Sequence, residues 1–488
     1  MLALDAMEYS ILDELLRAGR LPNMQAFIER SQRREVHSDG DTLHGSLWPT
    51  FASGTGPGTH GVYFWTQWIE EEMRHARNSH PALSYEPFWT DVAQAGLPVT
   101  VIDAPYVPLV ALKPVRQFSG WGTHDEVDVG SWPEPFAGQF RKRFGKHPLS
   151  FDTVEPQSRA DKLQMMRSMR RGVLLRCRAA SRLIKEQAEG LTLIVFAETH
   201  KACHYLAMPE QLRPDLSNVD AFGRILEPFD EALPGLLEDA GPDAEVILFS
   251  LHGVRPQADY SATIATQILA LALGKPLQEP GLRPDLVRRI RDLLPDSLHR
   301  AIWRRLPEGI RASRHGQLTT AGSDLAHDAL LRLAHDGHLG IRVNLAGRER
   351  DGIVSEAEGE AALARLAELA APLRTEDGVT AFDGLWRSSA SAPGPRSHRL
   401  PDALLLANFA VRRASRVSSP NGVQLSARGP EARNGVHNGR GFCFFRPGAQ
   451  SGTRLAESPI DNVDFAPTIL ELLRVPAPAR LQGTSAVR

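Results

Sequence analysis

The chain has 488 residues, 42% of them hydrophobic, with 56 Lys and Arg against 58 Asp and Glu and a formal net charge of −2. That is enough apolar material for a large buried core with room for a second lobe, and a charged fraction of 23% excludes disorder and coiled coil. The near balance of charge calls for no nucleic-acid polymer as partner, whereas a small phosphate-bearing substrate needs only a local site.

The opening, MLALDAMEYSILDELL, shows no basic stretch followed by an apolar one. No run approaches the roughly 20 apolar residues of a membrane span. A helical pattern covers Tyr9 to Ala18, and the apolar run LPVTVIDAP passes through Asp103. Further helical patterns cover Asp161 to Ala188, Asp220 to Glu238 and Ser355 to Leu369. Between them lie apolar runs: LTLIVFAETH from Leu191 to His200, AEVILFSLHG from Ala244 to Gly253, and DALLLANF from Asp402 to Phe409. Such alternation predicts an α/β fold with a mainly parallel sheet buried on both faces. From about Thr266 to Ser323 the chain is rich in Arg, Leu and Pro and breaks the alternation. Residues 266–335 are therefore expected to form a helical insertion, with 1–265 and 336–488 as the core and cap-like elements within 66–185. Cys177, Cys203 and Cys443 are far apart and odd in number, which argues against a disulfide framework and for a reducing compartment. A soluble, cytoplasmic protein without membrane contact is expected, its oligomeric state unreadable.

In parallel sheets ligands gather at the carboxyl ends of strands. Asp5 follows LAL, the triplet Glu198-Thr199-His200 follows LIVFA, and His252 follows VILFSL. His200 and His204 are four apart, so a helix there would put both imidazoles on one face, where they share a metal or stand as ordinary helix-end histidines. Gly253 permits a tight turn beside His252, whose alternative is a bond to a backbone carbonyl. His437 sits in the Gly- and Asn-rich ARNGVHNGRG, as a functional side chain or an exposed one. The stretch TLHGSLWPTFASGTGPGTHGVYFW, Thr42 to Trp65, holds Ser46 two residues after His44. Ser46 reads as a nucleophile at a helix start, where backbone N–H groups face a phosphoryl oxygen, or as an N-cap.

In this order the pieces resemble the type I phosphodiesterase/nucleotide pyrophosphatase branch of the alkaline phosphatase superfamily. LALDAMEYSILDELLRAGRLPNMQAF resembles its strand, metal-binding Asp and helix ending in G-x-LPN. ASGTGPGTHGVYFW resembles TG-x-x-P-x-x-HG, with Ser53 where Thr is usual. FAETHKACH, FSLHGV and NGVHNGRG stand where the family has an Asp and a His four apart, S-D-H-G, and a late His. GIRVNLAGRERDGIV and IDNVDFAPTILELLRVPAP match further stretches. The resemblance implies an alkaline-phosphatase-like three-layer sandwich with helical cap or insertions, and a site for two metals, usually zinc. It implies attack on phosphorus by a hydroxyl, then hydrolysis of the phospho-enzyme. Asp5 and His252 are implied around the nucleophile-side metal, and His200, His204 and His437 around the other. Leu251 and His200 replace family Asp ligands, and the usual nucleophile position falls on His44, with Ser46 the next hydroxyl.

A metal-dependent hydrolase of small phosphate esters follows as the expectation, with one or two zinc ions (or manganese) and Ser46 or a metal-activated water as nucleophile. Glu198 is a possible substitute donor for the missing Asp. The alternatives are a non-catalytic relative or a biosynthetic phosphotransferase; a sulfatase is disfavoured because no Cys or Ser stands in a C/S-x-P-x-R context. Substrate choice is expected from residues 66 to 185 and 260 to 335, with His124 or Asp125 as candidates to face the cleft.

Overall fold

The computed structural model describes residues 1–123, 129–149, 159–187, 189–206, 218–256, 261–277, 323–411, 414, 416–426 and 435–488. His124, Asp125 and residues 278–322 of the expected insertion lie outside the described residues. The chain divides into two compact units, one of Met1–Trp65, Asn78–Pro256 and Ala432–Arg488, the other of Thr66–Arg77 and Gln257–Glu431.

The strands of the first unit are β1 (Leu2–Leu4), β2 (Gln32–His37), β3 (Val99–Ile102), β4 (Val115–Ser119), β5 (Gly130–Trp132), β6 (Leu191–Phe196), β7 (Val246–Ser250), β8 (Gly253–Pro256), β9 (Gly435–Asn438), β10 (Arg440–Arg446) and β11 (Ile460–Asp461). Nine of them form one sheet in the order β11-β2-β10-β7-β1-β6-β3-β4-β5. Its centre is parallel: β1 pairs with β6 and β7, and β3 with β6 and β4. β10 runs antiparallel to β2 and β7, and β5 to β4. The short strands β8 and β9 pair with each other, Val254 opposite His437.

The period of two along each central strand feeds two separate cores. Leu2, Leu4, Ile194, Phe196, Val246 and Leu248 pack against helices α1 (Tyr9–Arg17), α2 (Pro22–Glu29), α4 (Arg159–Lys185), α5 (Glu198–Leu206) and α6 (Asn218–Ala240). Ala3, Leu193, Val195, Ile247 and Phe249 pack against α3 (Leu47–Ser53) and α7 (Phe465–Leu472). Both faces are covered, which is why these strands read as unbroken apolar runs, and the result is the three-layer sandwich. The three cysteines are free and buried. Among the described residues no helix is long and apolar enough to cross a membrane.

The second unit is built on a four-stranded antiparallel sheet, Leu330–Leu333, Leu339–Val343, Ala403–Ala407 and Phe382–Arg387 in spatial order. Helices Ser261–Ala272 and Glu356–Ala370 supply apolar residues to its core. Ser355 opens the second helix with a capping box closed by Glu358. Described residues between Leu330 and Leu425 contribute this unit's sheet and core. Its two central strands, Leu339–Val343 and Ala403–Ala407, are buried along almost their whole length.

Candidate metal centre

Three adjacent parallel strands, β7, β1 and β6, end together, and each is followed at once by a chemically able side chain. β1 hands over to Asp5, after which Ala6 takes a left-handed turn at φ 56°. β6 ends at Phe196 and α5 begins at Glu198, so no loop separates the strand from the helix that carries His200 and His204. β7 ends at Ser250, two residues before His252. His437 comes from β9, paired beside the continuation of β7. Asp5 and all four histidines are buried, none more than 7% exposed.

The geometry fixes where the lone pairs point. His200 Nδ1 lies 3.0 Å from Asp5 Oδ2 and donates to it. His204 Nδ1 donates to the Gly435 carbonyl at 2.9 Å. A neutral imidazole that donates from Nδ1 carries its lone pair on Nε2. The two Nε2 atoms face each other at 2.9 Å, and lone pairs so placed repel unless a cation or proton sits against them. The His437 ring lies 4.7 Å from both rings, centroid to centroid, and 4.6 Å from His252. Its buried Nδ1 has no hydrogen-bond partner, an expensive state without a counter-group. Burial first, then the neighbouring imidazoles, hold the His437 pKa well below the usual histidine value, so the ring is neutral and able to ligate. His200, His204 and His437 offer nitrogens within 4.8 Å of one another, and so do Asp5, His200 and His252 their donor atoms. Two imidazole nitrogens on one tetrahedral zinc stand roughly 3.3 Å apart, given Zn–N distances of about 2.0–2.1 Å. The first triad therefore fits a divalent cation.

His252 meets both of its alternatives: Nδ1 contacts the Gly253 carbonyl at 3.2 Å, and Nε2 lies 3.5 Å from Asp5 Oδ1. His44 opens the short turn His44–Ser46 and its ring stands 4.9 Å from that of His437 and 5.2 Å from Phe64. Gly45 lets this turn lie close to the backbone of Tyr63 and Phe64, since a Cβ there would meet the Phe64 Cα at 2.4 Å. Ser46 occupies the N-cap position of α3, yet its side chain makes no cap bond, and its buried Oγ has no hydrogen-bond partner. The glycine-rich signature after it is structural: His60 bonds Thr50 Oγ1 through Nε2 and accepts the Val62 N–H at Nδ1.

One expectation fails outright. Glu198 does not substitute for the missing Asp ligand, because its carboxylate is held by Arg176 and His147. Arg176 Nε donates to both its oxygens at 3.1 Å, and His147 Nε2 donates at 2.7 Å. Strand-to-helix alternation turns Glu198 away from His200 here. Arg176 also reaches Asp103 at 2.7 Å, and Asp103 accepts the Trp121 and Gly122 N–H groups. Sequence reading missed this network and also Trp48, whose indole N–H donates to Asp5 Oδ1 at 2.9 Å. A usable signal was Arg176 itself, which shares one helical stripe with Met169, Val173, Cys177 and Ala180.

Comparison with known proteins agrees with the fold. Phosphonoacetate hydrolase from Sinorhizobium meliloti 1021, solved with phosphonoformate, superposes with a TM-score of 0.52 at 15% identity, covering 98% of this chain and 95% of that one. Wild-type alkaline phosphatase PafA superposes with a TM-score of 0.53 at 12% identity, covering 99% and 97%. No curated protein matches the sequence significantly. The profile of type I phosphodiesterase / nucleotide pyrophosphatase matches residues 1–425. The chain therefore belongs to the type I phosphodiesterase/nucleotide pyrophosphatase family, a family of phosphoester hydrolases.

Proposed function

We propose that the protein is a metal-dependent hydrolase of small phosphate esters, its cation held by His200, His204 and His437. The observation that carries this reading is the facing pair of Nε2 atoms at 2.9 Å beside a third buried imidazole with an unmet nitrogen. A bound zinc would supply positive charge against the oxygens of a phosphoryl group. The protein's own groups do the rest. Asp5 holds the His200 ring through Nδ1, and the Gly435 carbonyl holds His204. Ser46 is the candidate nucleophile, since its hydroxyl is committed to no other group. Its Oγ forms the bond to phosphorus as the bond to the leaving oxygen breaks, and its proton passes to a base for which His44, in the same turn, is the candidate. Water then cleaves the Ser46–phosphate bond and restores the hydroxyl.

The test is turnover of bis-p-nitrophenyl phosphate and p-nitrophenyl phosphate by the purified protein with added zinc or manganese. Turnover is expected, abolished to background in His204→Ala and lost on chelation. Activity that survives His204→Ala would remove this reading. Leu251 favours a second reading, a family member that binds ligand without turnover, and zinc binding without any hydrolysis would select it.

A further inference from the structure

The resemblance implies two cations, but the donor atoms divide unequally between the two places, and this bears on the hydrolase reading above, on which it rests. The second group, Asp5, His200 and His252, shares His200 with the first. His200 has two nitrogens. Nε2 faces His204, and Nδ1 is 3.0 Å from Asp5 Oδ2, which it meets as a hydrogen-bond donor. A ring nitrogen that carries its proton has no lone pair to offer. The second oxygen of Asp5 is engaged as well, accepting the Trp48 indole N–H at 2.9 Å. The neighbouring position that an Asp would fill is Leu251, 1% exposed and packed with Trp48, Phe51 and Phe249 in the apolar core. Glu198, the nearest carboxylate in sequence to His200, is held by Arg176 and His147.

We infer that this chain holds a single cation, on His200, His204 and His437, and that Asp5 is a positioning residue that orients His200 instead of ligating a second ion. Leu251 offers no donor where a second ion would need a carboxylate, and the proton on His200 Nδ1 withholds another. The carboxylate fixes the tautomer and the angle of a metal-binding imidazole, and Trp48 fixes the carboxylate in turn.

The test uses the full-length protein stripped of metal and titrated with zinc against a chromogenic chelator, with bound zinc counted after dialysis. Wild type is expected to retain one zinc per chain. Asp5→Asn, which preserves the side chain's shape and one acceptor, is expected to bind one zinc about 10–100-fold more weakly. His204→Ala is expected to retain none. Two zinc ions per wild-type chain would overturn the inference, as would an Asp5→Asn protein that is folded by circular dichroism and as empty as His204→Ala. A readout independent of any variant is anomalous diffraction from zinc-loaded wild-type crystals. One peak against the Nε2 atoms of His200 and His204 is expected; a second peak, or an Asp5 oxygen at bonding distance from zinc, would overturn it. The two readings fail separately. One bound zinc without turnover removes the hydrolase and leaves the single site, two bound zincs with turnover do the reverse, and no zinc at all removes both.

Discussion

Two buried polar clusters stand at the carboxyl ends of the first unit's strands, and their polar groups are met in different ways. Around Arg176 every charge has its partner: Asp103 and Glu198 on the guanidinium, His147 on Glu198, and the Leu149 N–H on His147 Nδ1. The cluster is shaped for itself, since a Cβ at Gly122 or Gly172 would press into the His147 ring at 2.6 Å. Around His437 imidazoles face imidazoles, and one buried nitrogen, His437 Nδ1, is left over. Burial of polar groups alone thus does not mark a site. What separates scaffold from candidate chemistry is whether the protein alone completes the hydrogen bonding.

The largest effect that sharpens this contrast is on stability. Arg176→Met leaves Asp103 and Glu198 as buried carboxylates without their cation, a change that costs about 3–5 kcal/mol in comparable buried pairs. Urea unfolding should show that loss, and adding Asp103→Asn and Glu198→Gln should recover part of it. A loss under about 1 kcal/mol would mean the network is not the scaffold described.

Acid should separate the two clusters next. Burial and neighbouring rings depress the His437 pKa, so in metal-free protein the folded state resists a proton that the unfolded chain accepts near pH 6.5. Stability is then flat above that pH and falls as pH drops below it, by no more than about 1.4 kcal/mol per unit per group. Glu198 behaves differently. Burial pushes its pKa up, but the Arg176 charge and the His147 hydrogen bond outweigh this and leave it lowered. Its contribution is complete above the usual glutamate value and is lost only as pH falls below about 4.5 through the folded value. Thermal melts of metal-free protein should therefore decline from pH 6.5 downward, with a second loss below about pH 4.5. Zinc should oppose the first decline at its upper end, since binding selects neutral imidazole. A melting temperature indifferent to pH between 5 and 7 would break the assignment of His437 as a buried neutral ring.

Much of the fold was legible because double-sided burial writes long apolar runs, and four of those runs and four helices fall within a few residues of their expected places. The candidate site was legible for the same reason: Asp5, His200 and His252 interrupt apolar sequence where strands end. His204 followed from helical spacing alone. The rest depends on contacts between residues far apart in sequence, which no local pattern records. Trp48 reaches Asp5 across 43 positions, and Arg176 hides among the other arginines of α4 until its stripe is compared with the core.

The smallest effect compares two buried hydroxyls a few residues from the same centre. Ser250 Oγ accepts the Met7 N–H at 3.1 Å and donates to the His252 carbonyl at 2.8 Å, whereas Ser46 Oγ has neither kind of partner. Removing a satisfied hydroxyl leaves its partners unmet and costs about 1–2 kcal/mol; removing an unsatisfied one takes away a desolvation penalty. Ser250→Ala should therefore destabilise the protein, and Ser46→Ala should leave stability unchanged or slightly higher, as read by urea midpoints at constant slope. The pairing isolates what a hydroxyl is kept for. If Ser46→Ala were instead the more damaging of the two, Ser46 would be holding the fold together, and its unpaired oxygen would no longer argue for a role in chemistry.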